Sequence, residues 1–342
     1  MLRIEDHLSF RPEWRLMRVL VTGGAGYVGC HAIRELAEAG HEVIVYDNFS
    51  TGHRRLCDGF ELIEGDIADI QKLAPILDRV EAVMHFAASA YVGESVVNPR
   101  KYFRNNVESA LALMDAVLAS KVRKFIFSSS CATYGVPREL PIVESLPKEP
   151  INPYGETKLF FERVLSAYTA SHGLGYVALR YFNAAGAHSS GLVGEIHDPE
   201  THLIPLALKA ILRTAPPLKV FGTDLDTADG TCIRDFVHVS DLGAAHVLAL
   251  EYLADGGCSQ SVNLGTGKGT SIKELIDAIQ RLTGLDVPHE FAPARAGDPP
   301  SLYADPSRAR DILGWTAKRD MDEILLSAWK WQQNLDGALD LD

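Results

Sequence analysis

The chain has 342 residues, a net charge of −12 and 46% hydrophobic residues, the composition of a globular protein with one large domain or two moderate ones. The acidic balance leaves no basic surplus to neutralise phosphates, which argues against a nucleic-acid or anionic-membrane partner. No apolar run approaches 18 residues, so no transmembrane helix is expected. The five cysteines, Cys30, Cys57, Cys131, Cys232 and Cys258, are widely spaced and form no CxxC pair. They predict a reduced, cytoplasmic chain with neither disulfides nor a zinc site.

Residues 1–16, MLRIEDHLSFRPEWRL, lack the apolar stretch of a secretory signal and show weak periodicity. Met17 follows at once, so 1–16 read as an appendage or an over-long start. RVLVTGG is a short β-branched run suited to a buried strand. YVGCHAIRELAEAG carries Val28, Ile33, Leu36 and Ala37 at helical spacing and closes on Gly40. EVIVYD, FELIEGD, EAVMHFAA, KFIFSSS and GYVALRYFN read as further strands. IQKLAPILDRV, YFRNNVESALALMDAVLAS and a stretch from Tyr154 to about Ser171 read as helices. The alternation predicts an α/β fold, a parallel sheet with helices on both faces. After Asn183 the composition changes. AAGAHSSGLVGEIHDPETH and RTAPPLKVFGTDLDTADGT are rich in Gly, Asp, Thr and Pro and read as long functional loops.

Gly23, Gly26 and Gly29 form G-x-x-G-x-x-G between a strand and a helix, the setting in which the motif cradles a dinucleotide. Gly23 allows the tight turn, Gly26 the approach of a pyrophosphate, and Gly29 close helix–strand packing. The helix N-terminus supplies free N–H groups to the phosphates. Asp47 ends the second strand, 18 residues after Gly29. A carboxylate there accepts from a ribose diol and repels a 2′-phosphate, which favours NAD over NADP. Asp66 follows the third strand and reads equally as an adenine contact or a turn residue.

Tyr154 and Lys158 stand at i and i+4 in INPYGETK, on one helix face. A nearby ammonium, together with a positive nicotinamide ring, favours the phenolate and prepares a general base. Ser130 ends the fifth strand at the carboxyl edge, placed to hydrogen-bond a substrate hydroxyl or ketone. The other histidines, His31, His85 and His238 among them, show no ligand spacing, so no metal is expected.

VLVTGGAGYVG, VYDN, EGDI, HFAA, VGES, NNV, FSSSCATYG, NPYGETK, LRYFNAAGA, GTDLDTADGTCIRDFVHVSDLGAAHV, NLGTG and RAGDPP occur in that order. With them, residues 17–335 resemble the extended short-chain dehydrogenase/reductase superfamily and, within it, the UDP-glucose 4-epimerase family. The resemblance implies a Rossmann-type doubly wound parallel sheet with a smaller mixed α/β C-terminal substrate domain. Residues 17–182 would bind NAD and residues 183–342 mainly the UDP-sugar, with part, about 236–250, returning to the Rossmann sheet. It implies that Tyr154 removes the proton of the sugar 4-OH, assisted by Ser130. Hydride passes from C4 to tightly bound NAD and returns to the other face of the turned 4-keto sugar. Lys158 would bind the nicotinamide ribose and tune Tyr154. Gly23, Gly26, Tyr27, Val28, Gly29, Asp47, Asn48, Asp66, Ile67, Phe86, Ala87, Asn105 and Tyr181 would complete the cofactor site. Asn183, His202, Leu203, Arg234, Arg295 and Asp298 would hold the uridine diphosphate, where arginine forks suit a pyrophosphate. The family also pairs two long helices into a homodimer, although core packing accounts for those helices here equally well.

Three positions depart from the family pattern. Ala90 stands where many members have a lysine near the nicotinamide, His202 where some have asparagine, and Leu302 at a position that admits N-acetylated sugars when small. A sugar 4,6-dehydratase is disfavoured, because Cys131 and Ala132 occupy the place of its Asp-Glu pair. A UDP-xylose/UDP-arabinose or UDP-uronate 4-epimerase remains an alternative. A non-catalytic NAD-binding scaffold is disfavoured by the retained tyrosine and lysine.

Overall fold

In the computed structural model, which describes residues 16–294 and 299–337, the first strand, β1 (Arg18–Thr22), is buried at Val19, Leu20 and Val21. A strand apolar at successive positions needs cover on both faces. The chain continues through α1 (Tyr27–Glu38), β2 (Glu42–Asp47), β3 (Glu61–Glu64), α2 (Ile70–Leu77), β4 (Ala82–His85), α3 (Val92–Val97), α4 (Pro99–Phe103), α5 (Ala110–Ala119), β5 (Lys124–Ser130), α6 (Pro153–His172) and β6 (Gly175–Tyr181). Every strand expected before Asn183 is present.

β1 pairs in parallel with both β2 and β4, so the sheet grows outward in two directions from it. This is the doubly wound arrangement, in which ligands bind at the carboxyl ends of the strands where the order reverses. Val19 and Val21 pack with Ile33, Leu36, Leu242 and Ala245 on one face. Leu20 packs with Leu73, Leu113 and Phe161 on the other. The period-two alternation of a strand thus feeds two separate core layers.

The second half begins with β7 (Asn183–Ala185), α7 (Leu203–Ile211), β8 (Leu218–Phe221), β9 (Ile233–Arg234), β10 (Phe236–His238), α8 (Val239–Ala254) and β11 (Gln260–Leu264). It ends with β12 (Thr270–Ser271), α9 (Ile272–Thr283), β13 (His289–Ala292), β14 (Ser301–Leu302), α10 (Ser307–Leu313) and α11 (Met321–Gly337). The seven-stranded sheet has the order β11-β6-β5-β4-β1-β2-β3. The strand that rejoins it is therefore β11. Residues 236–250 contribute β10, paired with β7, and the start of α8, whose Leu242, Ala245 and Ala249 lie against the sheet on the α1 face. A helix with apolar residues at that spacing must lie on a sheet, not within it.

Two corrections come from local chemistry. The stretch read as a loop after Arg213 contains β8, paired in parallel with β13. Leu218 and Val220 point inward and Lys219 outward, a pattern only four residues long. The helix read from YFRNNVESALALMDAVLAS is present but π-helical over Arg104–Ser109. Such turns often mark functional sites. Here Asn106 donates to Ser89 O at 2.9 Å and to Thr157 Oγ1 at 3.1 Å, and accepts from Ser89 N at 2.8 Å. The turn thereby holds the loop after β4 against α6. Residues 1–15, Arg295 and Asp298 lie outside the described residues. Among the described residues no helix is long and apolar enough to cross a membrane.

Below the carboxyl edge, buried Glu162 of α6 accepts from Ser129 Oγ at 2.5 Å, Arg180 Nε at 2.8 Å and Ser261 Oγ at 3.2 Å. Arg180 also reaches the Tyr134 hydroxyl at 2.8 Å. A buried ion pair is tolerated only when its hydrogen bonds are this complete. Arg180→Met is expected to strand the carboxylate and cost about 3–5 kcal/mol, measured by equilibrium urea denaturation. A loss below about 1 kcal/mol, the level of an exposed pair, would mean that the pair does not secure the helix.

Candidate active site

The turn after β1 leaves no room for side chains at two of its glycines. Gly23 has φ +75°, and a Cβ there would lie 2.4 Å from Ala87 N. A Cβ on Gly29 would lie 2.3 Å from Gly23 O. Gly26 differs, since its added Cβ would meet only Gly23 O, at 3.4 Å. It opens α1 with no side-chain cap, so the first N–H groups of the helix stay free for an anion. Tyr27 and Val28 form the first turn, and the Tyr27 hydroxyl donates to Gly186 O at 2.6 Å.

Asp47 is buried at the end of β2. Its carboxylate accepts from Ala25 N at 3.0 Å and Phe49 N at 2.8 Å. Burial pushes its pKa up against these two bonds. Each oxygen keeps a second lone pair, so acceptor capacity remains for a ribose diol. Asn48 donates to Asp66 Oδ2 at 3.0 Å, and Ala68 N to Asp66 Oδ1 at 2.8 Å, so Asp66 closes its own turn. Ile67 is buried beside it. Phe86 N and Ala87 N follow β4 and both donate to Thr22 O, at 2.8 and 3.1 Å. An open helix terminus, a cradle that two Cβ atoms would fill and a carboxylate after β2 together fit NAD.

Asn152 caps α6 by accepting from Gly155 N at 2.9 Å, and Pro153 opens the helix. This sets Tyr154 in the first turn and Lys158 one turn further. Lys158 Nζ donates to Ser128 O at 2.7 Å and lies 5.7 Å from the Tyr154 ring centroid. Burial pushes Lys158 down to about 7, against the pull of Glu162. Burial also pushes the Tyr154 phenol well above its ordinary value, and the hydrogen bond to Ser130 is the leading influence that lowers it. The lysine expected to draw the phenol down is thus itself shifted towards neutrality. Tyr181 ends β6 with its hydroxyl on Ser128 Oγ. Asn105, on the π turn, approaches Ser89 Oγ at 3.4 Å.

Across the edge, Asn183 Nδ2 donates to Asp235 O at 3.1 Å. Arg234 of β9 is half-buried and donates to Pro299 O at 2.9 Å. Its charge reaches Cys131 after β5, where it opposes the burial that pushes the thiol up to about 12. Leu302 is the register partner of Arg234. Leu203 starts α7. The ring Nδ1 of His202 is engaged by Glu195 and not turned to the cleft as a free donor. Ala90 is exposed. Sequence reading passed over Glu162, although it stands one further turn along the face of Tyr154 and Lys158. It also passed over Asn106, which lies in the NNV segment but was given no role.

A free helix N-terminus at the switch point, with a phenol buried against a serine across the cleft, places the chain among the dinucleotide-binding α/β enzymes. The profile of the NAD dependent epimerase/dehydratase family matches residues 19–265, and the chain belongs to that family. It is 47% identical over 322 residues to the UDP-glucose 4-epimerase of Lactobacillus helveticus, covering 93% of this chain and 98% of the relative. The solved UDP-glucose 4-epimerase of Brucella ovis in complex with NAD is 53% identical, with a TM-score of 0.89 over 91% of this chain and 97% of that one. A Stenotrophomonas UDP-glucose 4-epimerase with bound NAD and formylated UDP-arabinopyranose is 39% identical, with a TM-score of 0.91 over 94% and 99%.

The Lys158 shift has a stability signature. Its pKa is depressed from 10.5 to about 7 on folding. Above 10.5 the amine is neutral in both states, and the cost of burying an ammonium is absent. That advantage is lost as pH falls from 10.5 to about 7. Wild type is therefore expected to lose stability relative to Lys158→Met between pH 10 and 7, measured by urea denaturation of both proteins. A difference that is flat across this window would contradict the buried, shifted lysine.

Proposed function

We propose that this chain is an NAD-dependent UDP-sugar 4-epimerase that interconverts UDP-galactose and UDP-glucose. The observation that carries the reading is the buried Tyr154 with Lys158 one turn away, its amine on Ser128 O, and Ser130 ending the same strand, at the sheet edge beside the open glycine cradle. The residues before about 183 hold the cofactor, and those from 183 to 342 mainly hold the nucleotide-sugar. Gly23, Gly26, Tyr27, Val28 and Gly29 seat the pyrophosphate. Asp47 takes the adenosine ribose, and Asn48, Asp66 and Ile67 border the adenine. Phe86, Ala87, Asn105 and Tyr181 line the nicotinamide half, with Lys158 on its ribose. Bound NAD supplies a hydride acceptor for C4 and, in its oxidised form, a positive charge beside the phenol.

Tyr154 then takes the proton of the sugar 4-OH and returns it to the same oxygen after the keto sugar has turned. Ser130 holds that oxygen during both transfers. Burial alone keeps the phenol protonated, so the base is competent only when cofactor charge adds to Lys158. Asn183, Leu203, Arg234, Arg295 and Asp298 hold the uridine diphosphate. His202 joins them only through its second ring nitrogen.

The expected assay is NMR of the anomeric sugar signals with UDP-galactose and no added cofactor. UDP-glucose should appear, and Tyr154→Phe should lower the rate by at least about 10²-fold, the scale of a general base. No product even after NAD is added would overturn the hexose reading. Turnover of UDP-xylose in its place would select the pentose alternative, the class of molecule held by the Stenotrophomonas relative.

We also infer a cytoplasmic homodimer. All five cysteines are free, which suits a reducing compartment. α4 lies against α6, and Phe103 and Phe160 on these helices are 47% and 43% exposed. Exposed aromatic groups on neighbouring helices mark an association surface, and a second copy of the chain is its occupant. Phe160→Glu is expected to give monomers in sedimentation velocity, whereas an unchanged sedimentation coefficient would place the interface elsewhere.

A further inference from the structure

The irregular segment before α7 contains a group of ligating side chains, of which only His202 was placed beside the substrate above, and there through its other ring nitrogen. Glu195, His197, Glu200 and His202 each present one donor atom, and these four atoms lie within 4.8 Å of one another. Glu195 Oε1 is 3.1 Å from His197 Nδ1 and also touches His202 Nδ1. Glu200 Oε1 is 3.7 Å from His197 Nδ1. Ligand bonds of about 2.0–2.2 Å around a tetrahedral ion place donor atoms about 3.3–3.6 Å apart; the two His197 separations lie close to that range, whereas Glu195 and His202 stand closer together and would part around an ion.

Hydrogen bonding alone does not account for the group. His197 Nδ1 is buried and has no aligned hydrogen-bond partner, although a carboxylate oxygen lies at contact distance. Glu195 is itself buried, with a relative exposure of 6%, where a carboxylate requires strong compensation. The surroundings fix the segment at Glu195, His197 and Glu200. Trp331 Nε1 donates to Glu195 O at 2.9 Å. Thr201 N and His202 N donate to Glu200 Oε1 at 2.8 and 2.9 Å. The Tyr91 ring meets His197 edge-on, with centroids 5.4 Å apart. Outer contacts of this kind orient metal ligands.

We propose that Glu195, His197, Glu200 and His202 bind one zinc ion. Two imidazoles with two carboxylates suit zinc, whereas calcium and magnesium take oxygen sets. The protein fills all four positions, so the ion is structural. It ties the segment entering α7 to the face between Tyr91 and Trp331, and it takes no part in the proton path of Tyr154. The proposal departs from the expectation that the chain binds no metal. The spacing E-x-H-x-x-E-x-H follows no helix or hairpin rule, and the four side chains meet only because the segment is irregular.

The test uses the full chain, purified without a histidine tag and dialysed against zinc and then against buffer. Plasma mass spectrometry should find one zinc per chain, and Glu195→Gln and His197→Ala should each lose it. Chelation should lower the melting temperature of wild type, and added zinc should restore it, with no such response in the variants. Cobalt(II) should bind wild type with the intense visible bands of a four-coordinate site, a readout that does not depend on either variant folding. Wild type without stoichiometric zinc, or with cobalt bands of an octahedral aquo ion, would overturn the proposal. Equal zinc in wild type and folded variants would do the same. None of these readouts depends on turnover, so they remain informative whatever sugar the chain accepts.

Discussion

The Glu162 carboxylate joins α6 to three strands, through Ser129 on β5, Arg180 on β6 and Ser261 on β11. Its position in the fold explains why the first turns of α6 can serve as a site. Tyr154, Lys158 and Glu162 occupy one helical stripe, and a helix whose buried stripe carries a phenol, an ammonium and a carboxylate gains little from hydrophobic contact there. The lower end of the stripe is anchored by charge-assisted bonds, which are stronger and more directional than neutral ones. The upper end can then hold groups at the sheet edge whose protonation burial disfavours or distorts. Stability is concentrated at one end and reactivity at the other.

That division appears in the electrostatics. Lys158 is pushed down and Tyr154 up by the same burial. Both shifts favour the neutral form, so the protein alone leaves the pair at rest. The positively charged nicotinamide of a dinucleotide whose pyrophosphate sits in the glycine turn would add the contribution that the lysine cannot supply by itself. The chemistry is thereby coupled to occupancy of the glycine turn, although that turn and α6 come from opposite ends of the cofactor half.

Much of this arrangement is legible in the sequence, because its signals are short-range. Buried parallel strands read as β-branched runs, the cradle as glycines between a strand and a helix, and the Tyr–Lys pair as an i, i+4 spacing. What escaped depends on distant partners. The π turn at Arg104–Ser109 is written in no residue of its own and is held by Ser89 and Thr157. β8 is four residues in loop-like composition and needs β13 to become a strand. The electrostatic balance at Tyr154 follows from how deeply the ring is buried, which spacing does not encode.

Asp47 ends β2 with both oxygens accepting backbone N–H groups, one from Ala25 within the glycine turn and one from Phe49 just beyond the strand. The residue proposed to repel a 2′-phosphate is therefore also a structural tie of the glycine turn. Replacing it to accept a phosphorylated ribose would release two backbone donors at once and loosen the turn proposed to seat the pyrophosphate. Choice of nucleotide and integrity of its seat are not separately adjustable in this chain. An evolutionary or engineered route to the other cofactor would first have to give Ala25 and Phe49 new acceptors, and only then change the charge.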